Sequence, residues 1–222
     1  MACTTTLPDR LPDKLKSDVT QILSDSLPCG RILYYTVESL SETQWSRDDI
    51  PAIIEQCRDP QMMEFTRIPR PYTSEHAHQL LALARAGWQA ASPTSPRFWA
   101  IAAPTATGYR FAGTIDYRPT GHRTATVGYG LHPAHRGAGL MSVALSLVLD
   151  YAFDHDGQEL IHWQAAVGNW ASAKAAWRNG FRLEGHVRGL CLRPDGGIND
   201  GWIATLHRDD PRTPGQPWPA TT

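Results

Sequence analysis

Val127-Gly-Tyr-Gly-Leu-His-Pro-Ala-His-Arg136-Gly-Ala-Gly-Leu-Met141 joins a short strand to a long apolar helix through an Arg-Gly-Ala-Gly turn. The first N–H groups of a helix have no intrahelical acceptor, and glycines let the backbone approach a ligand closely. Gly137, Ala138, Gly139, Leu140 and Met141 therefore form a candidate diphosphate cradle, which the helix dipole favours and Arg136 supplements with a permanent charge. Alone, such a turn is also a common structural connection. The chain has no Gly-x-x-x-x-Gly-Lys-Ser/Thr and no Gly-x-Gly-x-x-Gly after an early strand. A diphosphate-bearing coenzyme with a long arm is the ligand class that remains.

Outward from this stretch the pattern alternates strands and helices. Upstream, 98–102, 109–117 and 125–131 read as strands of an antiparallel meander. Thr73 caps a helix with Ala77, Leu80, Leu81, Ala84 and Trp88 on one face, stopping near Gly87. An earlier short helix, capped by Ser46-Arg47-Asp48-Asp49, ends near Asp59-Pro60, and 32–38 is a first strand. Downstream, a buried helix from 137 to about 153 leads to a strand at 160–167, a helix at 169–179 stopped by Gly180, and strands at about 181–191 and 200–207. The organisation expected is a helical extension at 1–30, one α/β (mixed α+β) domain at 31–208, and a flexible proline-rich tail at 209–222.

Composition narrows the partners. The 222 residues are 41% hydrophobic and 19% charged, with a formal net charge of −1, so no overall field recruits nucleic acid or an anionic membrane. The four scattered cysteines form no Cys-x-x-Cys pair, which argues against metal or a disulfide framework. No signal peptide or membrane span is legible, so a cytoplasmic protein, monomer or homodimer, is expected.

A second segment, Asn169-Trp-Ala-Ser172-Ala-Lys174, opens the helix after the strand at 160–167. Its residues have ordinary structural roles too: Asn169 is a good N-cap, Ser172 stands at the third helical position and Gly180 is a C-cap. The tryptophans at 163, 170 and 177 read first as core. Trp177 alone is a candidate to face solvent, a dimer partner or a coenzyme.

With these segments in order, the sequence resembles the GNAT superfamily of acyl-CoA-dependent N-acetyltransferases, in particular its ribosomal-protein N-terminal acetyltransferase branch. The resemblance spans roughly 31–210. It is carried by Asp59-Pro60, Pro71-Tyr72-Thr73, Gly113-Thr114-Ile115, Val127-Gly128-Tyr129-Gly130-Leu131, Arg136-Gly137-Ala138-Gly139, Asn169-x-x-Ser172, Gly180-Phe181-Arg182-Leu183-Glu184-Gly185 and Asp200-Gly201-Trp202.

It implies a mixed, mostly antiparallel sheet flanked by helices and splayed between 124–132 and 160–167, with the pantetheine arm of acetyl-CoA lying in the gap. By the same resemblance, backbone groups near Leu131 hold that arm and the oxyanion, the Arg136-to-Gly139 turn takes the pyrophosphate, Asn169 bonds the arm, Lys174 reaches a phosphate, and Ser172 is the acid for the departing thiolate. Met141 departs from the small residue the family prefers there.

The implied reaction is direct attack of an amine on the thioester within a ternary complex. The acceptor, an ammonium of pKa roughly 8–10, must lose a proton. Family members often carry a glutamate where Thr126 stands, and another acidic position aligns with Cys191. Glu184, His132, His162 and Asp116 remain as candidate bases, Glu184 foremost, with water as an alternative. The acceptor expected is a primary amine of a peptide or protein; a small-molecule amine, and a non-catalytic acyl-CoA-binding module, are the alternatives.

Overall fold

Helix and strand boundaries in the computed structural model, which describes residues 46–90, 92, 94–105, 108–193 and 195–218, follow caps written in the sequence. The expected helical extension at 1–30 and strand at 32–38 lie outside the described residues.

A 3₁₀ turn at Arg47–Asp49 is boxed by Asp48 N–H donating to Ser46 Oγ (3.1 Å) and Ser46 N–H donating to Asp49 Oδ2 (2.9 Å). It leads into α1 (Ile50–Arg58). Asp59-Pro60 does end that helix, but it also starts another. Asp59 is extended, its Oδ1 accepts from Met62 N–H at 3.1 Å, and Pro60 takes the first position of α2 (Pro60–Phe65). In α3 (Ser74–Gln89) the N-cap Thr73 N–H donates to His76 Nδ1 at 3.1 Å; the helix runs past Gly87 to Gln89.

The strands β1 (Arg97–Thr105), β2 (Gly108–Gly121) and β3 (Thr124–Leu131) form the expected antiparallel meander. After a 3₁₀ turn at Pro133–His135 come α4 (Leu140–Asp150), a π-helical turn at Tyr151–His155, β4 (Leu160–Ala166), α5 (Trp170–Arg178), β5 (Arg182–Leu192) and β6 (Ile198–His207). The sheet order is β1-β2-β3-β4-β6-β5. One face carries α1 and α3, packed through Ile53, Ala77 and Leu81 onto Phe98 and Phe111. The other carries α4 and α5, whose Leu145, Leu149 and Ala176 pack on Ile115, Val127, Ile161 and Leu206. Leu145 and Leu149 are fully buried, so truncating either to alanine would cost about 2–5 kcal/mol.

β3 and β4 are parallel neighbours, and they pair only from Thr124↔Leu160 to Val127↔Trp163. β4 stays paired with β6 along its whole length, to Ala166↔Gly201. β3 likewise stays paired with β2 to Gly113↔Leu131, so the two halves of the sheet part between β3 and β4 beyond Val127 and a gap opens there.

Within the expected tail, residues 209–218 contact the domain. The Trp177 indole N–H donates to Gln216 O (2.7 Å), Leu183 N–H donates to Gln216 Oε1 (3.0 Å), and the Arg212 guanidinium sits 4.4 Å over the Phe153 ring. Trp177, whose partner was open, faces this segment, with Trp218 5.3 Å away. Among the described residues no helix is long and apolar enough to cross a membrane.

Candidate active site

The gap between β3 and β4 is the mouth of a cleft of about 250 Å³. Leu131, Arg136, Gly137, Gly139, Leu140, Met141, Asn169, Ser172 and Lys174, all named from sequence, line it; Ala138, exposed between the two glycines, does not. Sequence reasoning missed Arg178, one turn beyond Lys174 on α5, and the far wall of Gln61, Met62, Phe65 and Thr66 from α2 and its exit.

Gly137 (φ 85°) and Gly139 (φ 77°) both adopt left-handed backbone, which explains why this turn is glycine-rich. Gly139 is the N-cap of α4, and the first intrahelical bonds come from Ser142 and Val143 N–H to Gly139 O. That geometry leaves Leu140 and Met141 N–H without intrahelical acceptors at the cleft. A Cβ at Gly137 or Gly139 would meet nothing within 4 Å, so conformation, not space, selects glycine there. The side chain of Met141 turns into the core and does not fill the cradle.

Arg136 lines the cleft and also has partners within the protein. Its Nη2 pairs with Asp59 Oδ1 at 2.5 Å and donates to Leu131 O at 3.2 Å. The guanidinium in turn holds the Asp59 carboxyl below the usual carboxylate range. Arg136 thus ties the coenzyme-side turn to the cap of α2, and its charge is already matched by Asp59. Lys174 and Arg178 are the cationic groups on the α5 wall.

At the opposite lip, Asn169 caps α5, with Ser172 N–H donating to Asn169 Oδ1 at 3.3 Å. Ser172 Oγ accepts from the indole N–H of buried Trp163 at 3.1 Å, and Ser172 O accepts from Tyr129 Oη at 2.8 Å across the cleft. An indole only donates, so the hydroxyl proton of Ser172 is not taken up by Trp163. Burial raises the Tyr129 phenol, which keeps it protonated as the donor in that cross-cleft bond. Asn179 clamps the two helices that flank the cleft, its amide donating to Ser142 O and Ala175 O, both at 2.9 Å.

The candidate bases separate. Glu184 is not brought to the cleft: it sits at the irregularity between Leu183 and Gly185 on the edge strand β5, exposed, accepting from Thr205 Oγ1 at 2.6 Å. His132 is buried near Glu55, with Nε2 3.3 Å from Glu55 Oε2 and Nδ1 accepting from Ala134 N–H. Burial pushes the Cys191 thiol up, away from service as a base at neutral pH. Among the described residues no cluster of three or more His, Cys, Asp or Glu forms a metal site.

The sheet is opened at its parallel pair, with a helix N-terminus on each lip. Residues 43–182 match the family model described as Acetyltransferase (GNAT) domain, and the chain belongs to that family. Over 93 residues it is 34% identical to probable N-acetyltransferase YjcK of Bacillus subtilis (strain 168), covering 40% of this chain and 49% of that protein; the chain spans about half the length of this curated relative.

Solved structures of similar fold include RimL, a ribosomal L7/L12 alpha-N-protein acetyltransferase in complex with coenzyme A (TM-score 0.61, 19% identity, 74% of this chain and 91% of that one). Another is the Microcin C7 self-immunity acetyltransferase MccE in complex with acetyl-CoA and AMP (TM-score 0.61, 17% identity, 73% and 88%). At these identities the likeness bears on the fold.

Proposed function

We propose that this protein transfers an acetyl group from acetyl-CoA to a primary amine, in a peptide or protein, by direct attack within a ternary complex. The single observation that carries this is the cleft at the β3–β4 divergence, lined on one lip by the Gly137–Met141 turn and on the other by Asn169, Ser172 and Lys174. Such a gap receives an extended arm through strand hydrogen-bonding groups left unpaired beyond Val127, while helix N–H groups receive a diphosphate. Its glycines, left-handed and uncrowded, fit that group. Support for a peptide or protein acceptor comes from the ordered motifs shared with the N-terminal acetylating branch.

In this account Arg136 has a positioning role, through Asp59 and Leu131. A strand N–H near Leu131 stabilises the oxyanion, Asn169 bonds the arm, and Lys174 meets a phosphate. Ser172, oriented by Trp163, gives a proton to the leaving sulfur. Incubation with acetyl-CoA and a panel of N-terminal peptides and small amines, read by intact mass, tests the proposal. Acetylated peptide is expected; acetylation of small amines alone would replace the acceptor assignment, and coenzyme binding with no product would replace the enzyme with a binding module.

A further inference from the structure

The face of the sheet turned away from α4 and α5 holds a carboxylate that the site above does not use. In the β2–β3 register Thr114 stands opposite Gly130, Asp116 opposite Gly128 and Arg118 opposite Thr126. This is the face α2 covers, since a Cβ at Gly130 would come 2.3 Å from Met62 Cε. A Cβ at Gly128 would lie 2.9 Å from Asp116 Oδ1 and 3.2 Å from Oδ2, so the carboxylate lies directly over Gly128. Gly128 is the first residue of β3 beyond its last pair with β4, and Gly130, two residues on, lines the cleft. Asp116 therefore lies next to the cleft, two residues along the sheet from Gly130, without lining it.

Its side chain is 15% exposed. Oδ2 is 3.0 Å from Arg118 Nη2, yet this buried oxygen receives no aligned hydrogen bond. Nearby, Gln56 Nε2 donates to Thr114 Oγ1 (3.4 Å) while buried Gln56 Oε1 has no donor. A buried amide oxygen without a donor, beside a carboxylate oxygen held by an ion pair but by no aligned hydrogen bond, fits a ligand that brings N–H groups, such as an ammonium.

We propose that Asp116 takes the proton from the acceptor amine, supplying from β2 the carboxylate that Thr126 does not supply from β3; this rests on the acetyl-transfer function proposed above. The ammonium gives one proton to the Asp116 carboxylate, which passes it to solvent. The freed amine forms the N–C bond to the thioester carbon and the C–S bond breaks. The nitrogen sheds its second proton as the sulfur gains one, so amide, free thiol and one solvent proton result.

Burial pushes the Asp116 carboxyl up to about 6 against the lowering effect of Arg118, which leaves it ionised but usefully basic at neutral pH. The groups it faces are Arg118 on its own strand and, beyond Thr126, His162 on β4; β1 presents Phe98 and α1 presents Gln56.

The test is kcat/KM against pH for the full chain with an acceptor found by the intact-mass screen, in wild type, Asp116→Asn and Arg118→Met. Wild-type activity is expected to fall on the acid side with an apparent pKa near 6, and Asp116→Asn to lose about 10²–10³-fold at neutral pH together with that acid limb. Coenzyme A affinity should be unchanged. Arg118→Met, at a half-exposed position, should move the acid limb to higher pH, because the cation that lowers Asp116 is gone. An acid limb that persists in Asp116→Asn, or one unmoved in Arg118→Met, overturns the assignment while leaving acetyl transfer intact. A wild type that binds coenzyme A and acetylates no amine overturns acetyl transfer itself, and the role of Asp116 with it.

Discussion

Ser172→Ala separates chemistry from packing at the start of α5. The backbone N–H of residue 172 still donates to Asn169 Oδ1, and its carbonyl still accepts from Tyr129, so both the cap and the cross-cleft bond survive. What is lost is the acceptor for the Trp163 indole N–H, a donor on a side chain buried to 3% exposure. An unpaired buried donor costs about 1–3 kcal/mol. In a domain of this size that lowers Tm by roughly 2–12 °C.

The chemical loss is separate from this. A positioned acid contributes about 10²–10⁴-fold, and because a thiolate is already a fair leaving group we expect the lower end, about 10² in kcat. The assay is thiol release at saturating acetyl-CoA and acceptor, well below the lowered Tm, with coenzyme affinity measured by calorimetry. Asn169→Ala is the control: it removes the cap for about 1 kcal/mol but keeps the hydroxyl, so its kcat should fall less. A Ser172→Ala enzyme that is destabilised but has wild-type kcat would refute the acid role and leave Ser172 as the partner of Trp163.

Two further outcomes follow from the charges around the cleft. Asp59 is held ionised to lower pH in the folded state by Arg136, so the stability it adds is complete above the unfolded pKa of about 3.9 and is lost as pH falls through the lower folded value. Urea midpoints of wild type and Asp59→Asn should therefore differ at neutral pH and converge in acid; a gap that widens toward acid would contradict the pairing. Lys174→Ala and Arg178→Ala should each weaken coenzyme A by up to about fivefold, the worth of an exposed charge contact, with the effect shrinking as salt rises. A loss independent of salt would point to packing instead.

The parts of this site that were legible in sequence are those built from near neighbours. The Arg-Gly-Ala-Gly turn needs positive φ, and only glycine signals that so plainly; Asn169 three residues before Ser172 is a cap by spacing alone. The strand meander announced itself through its β-branched runs and turns. Asp59-Pro60 reads in sequence as a stop, yet Asp-Pro is equally a start, and α2 with its cleft-lining Met62 and Phe65 begins there. The partner of Arg136 lies 77 positions away, beyond any local pattern.

Glu184 and Asp116 show the same limit. Where each carboxylate falls depends on strand register: an irregularity at Leu183/Gly185 together with the edge position of β5 leaves Glu184 away from the cleft, while Asp116 pairs with Gly128, two residues from cleft-lining Gly130. At the C-terminal segment, the contacts of Gln216 and Trp218 are with α5 and β5, and no local pattern among the prolines signals them.

If the divergence of β3 from β4 receives the acyl donor, backbone hydrogen exchange with and without acetyl-CoA will register it there. Protection is predicted in two stretches, 128–142 and 164–174, and not along the edge strand β5. Binding that leaves both stretches exchanging as in the free protein would contradict it.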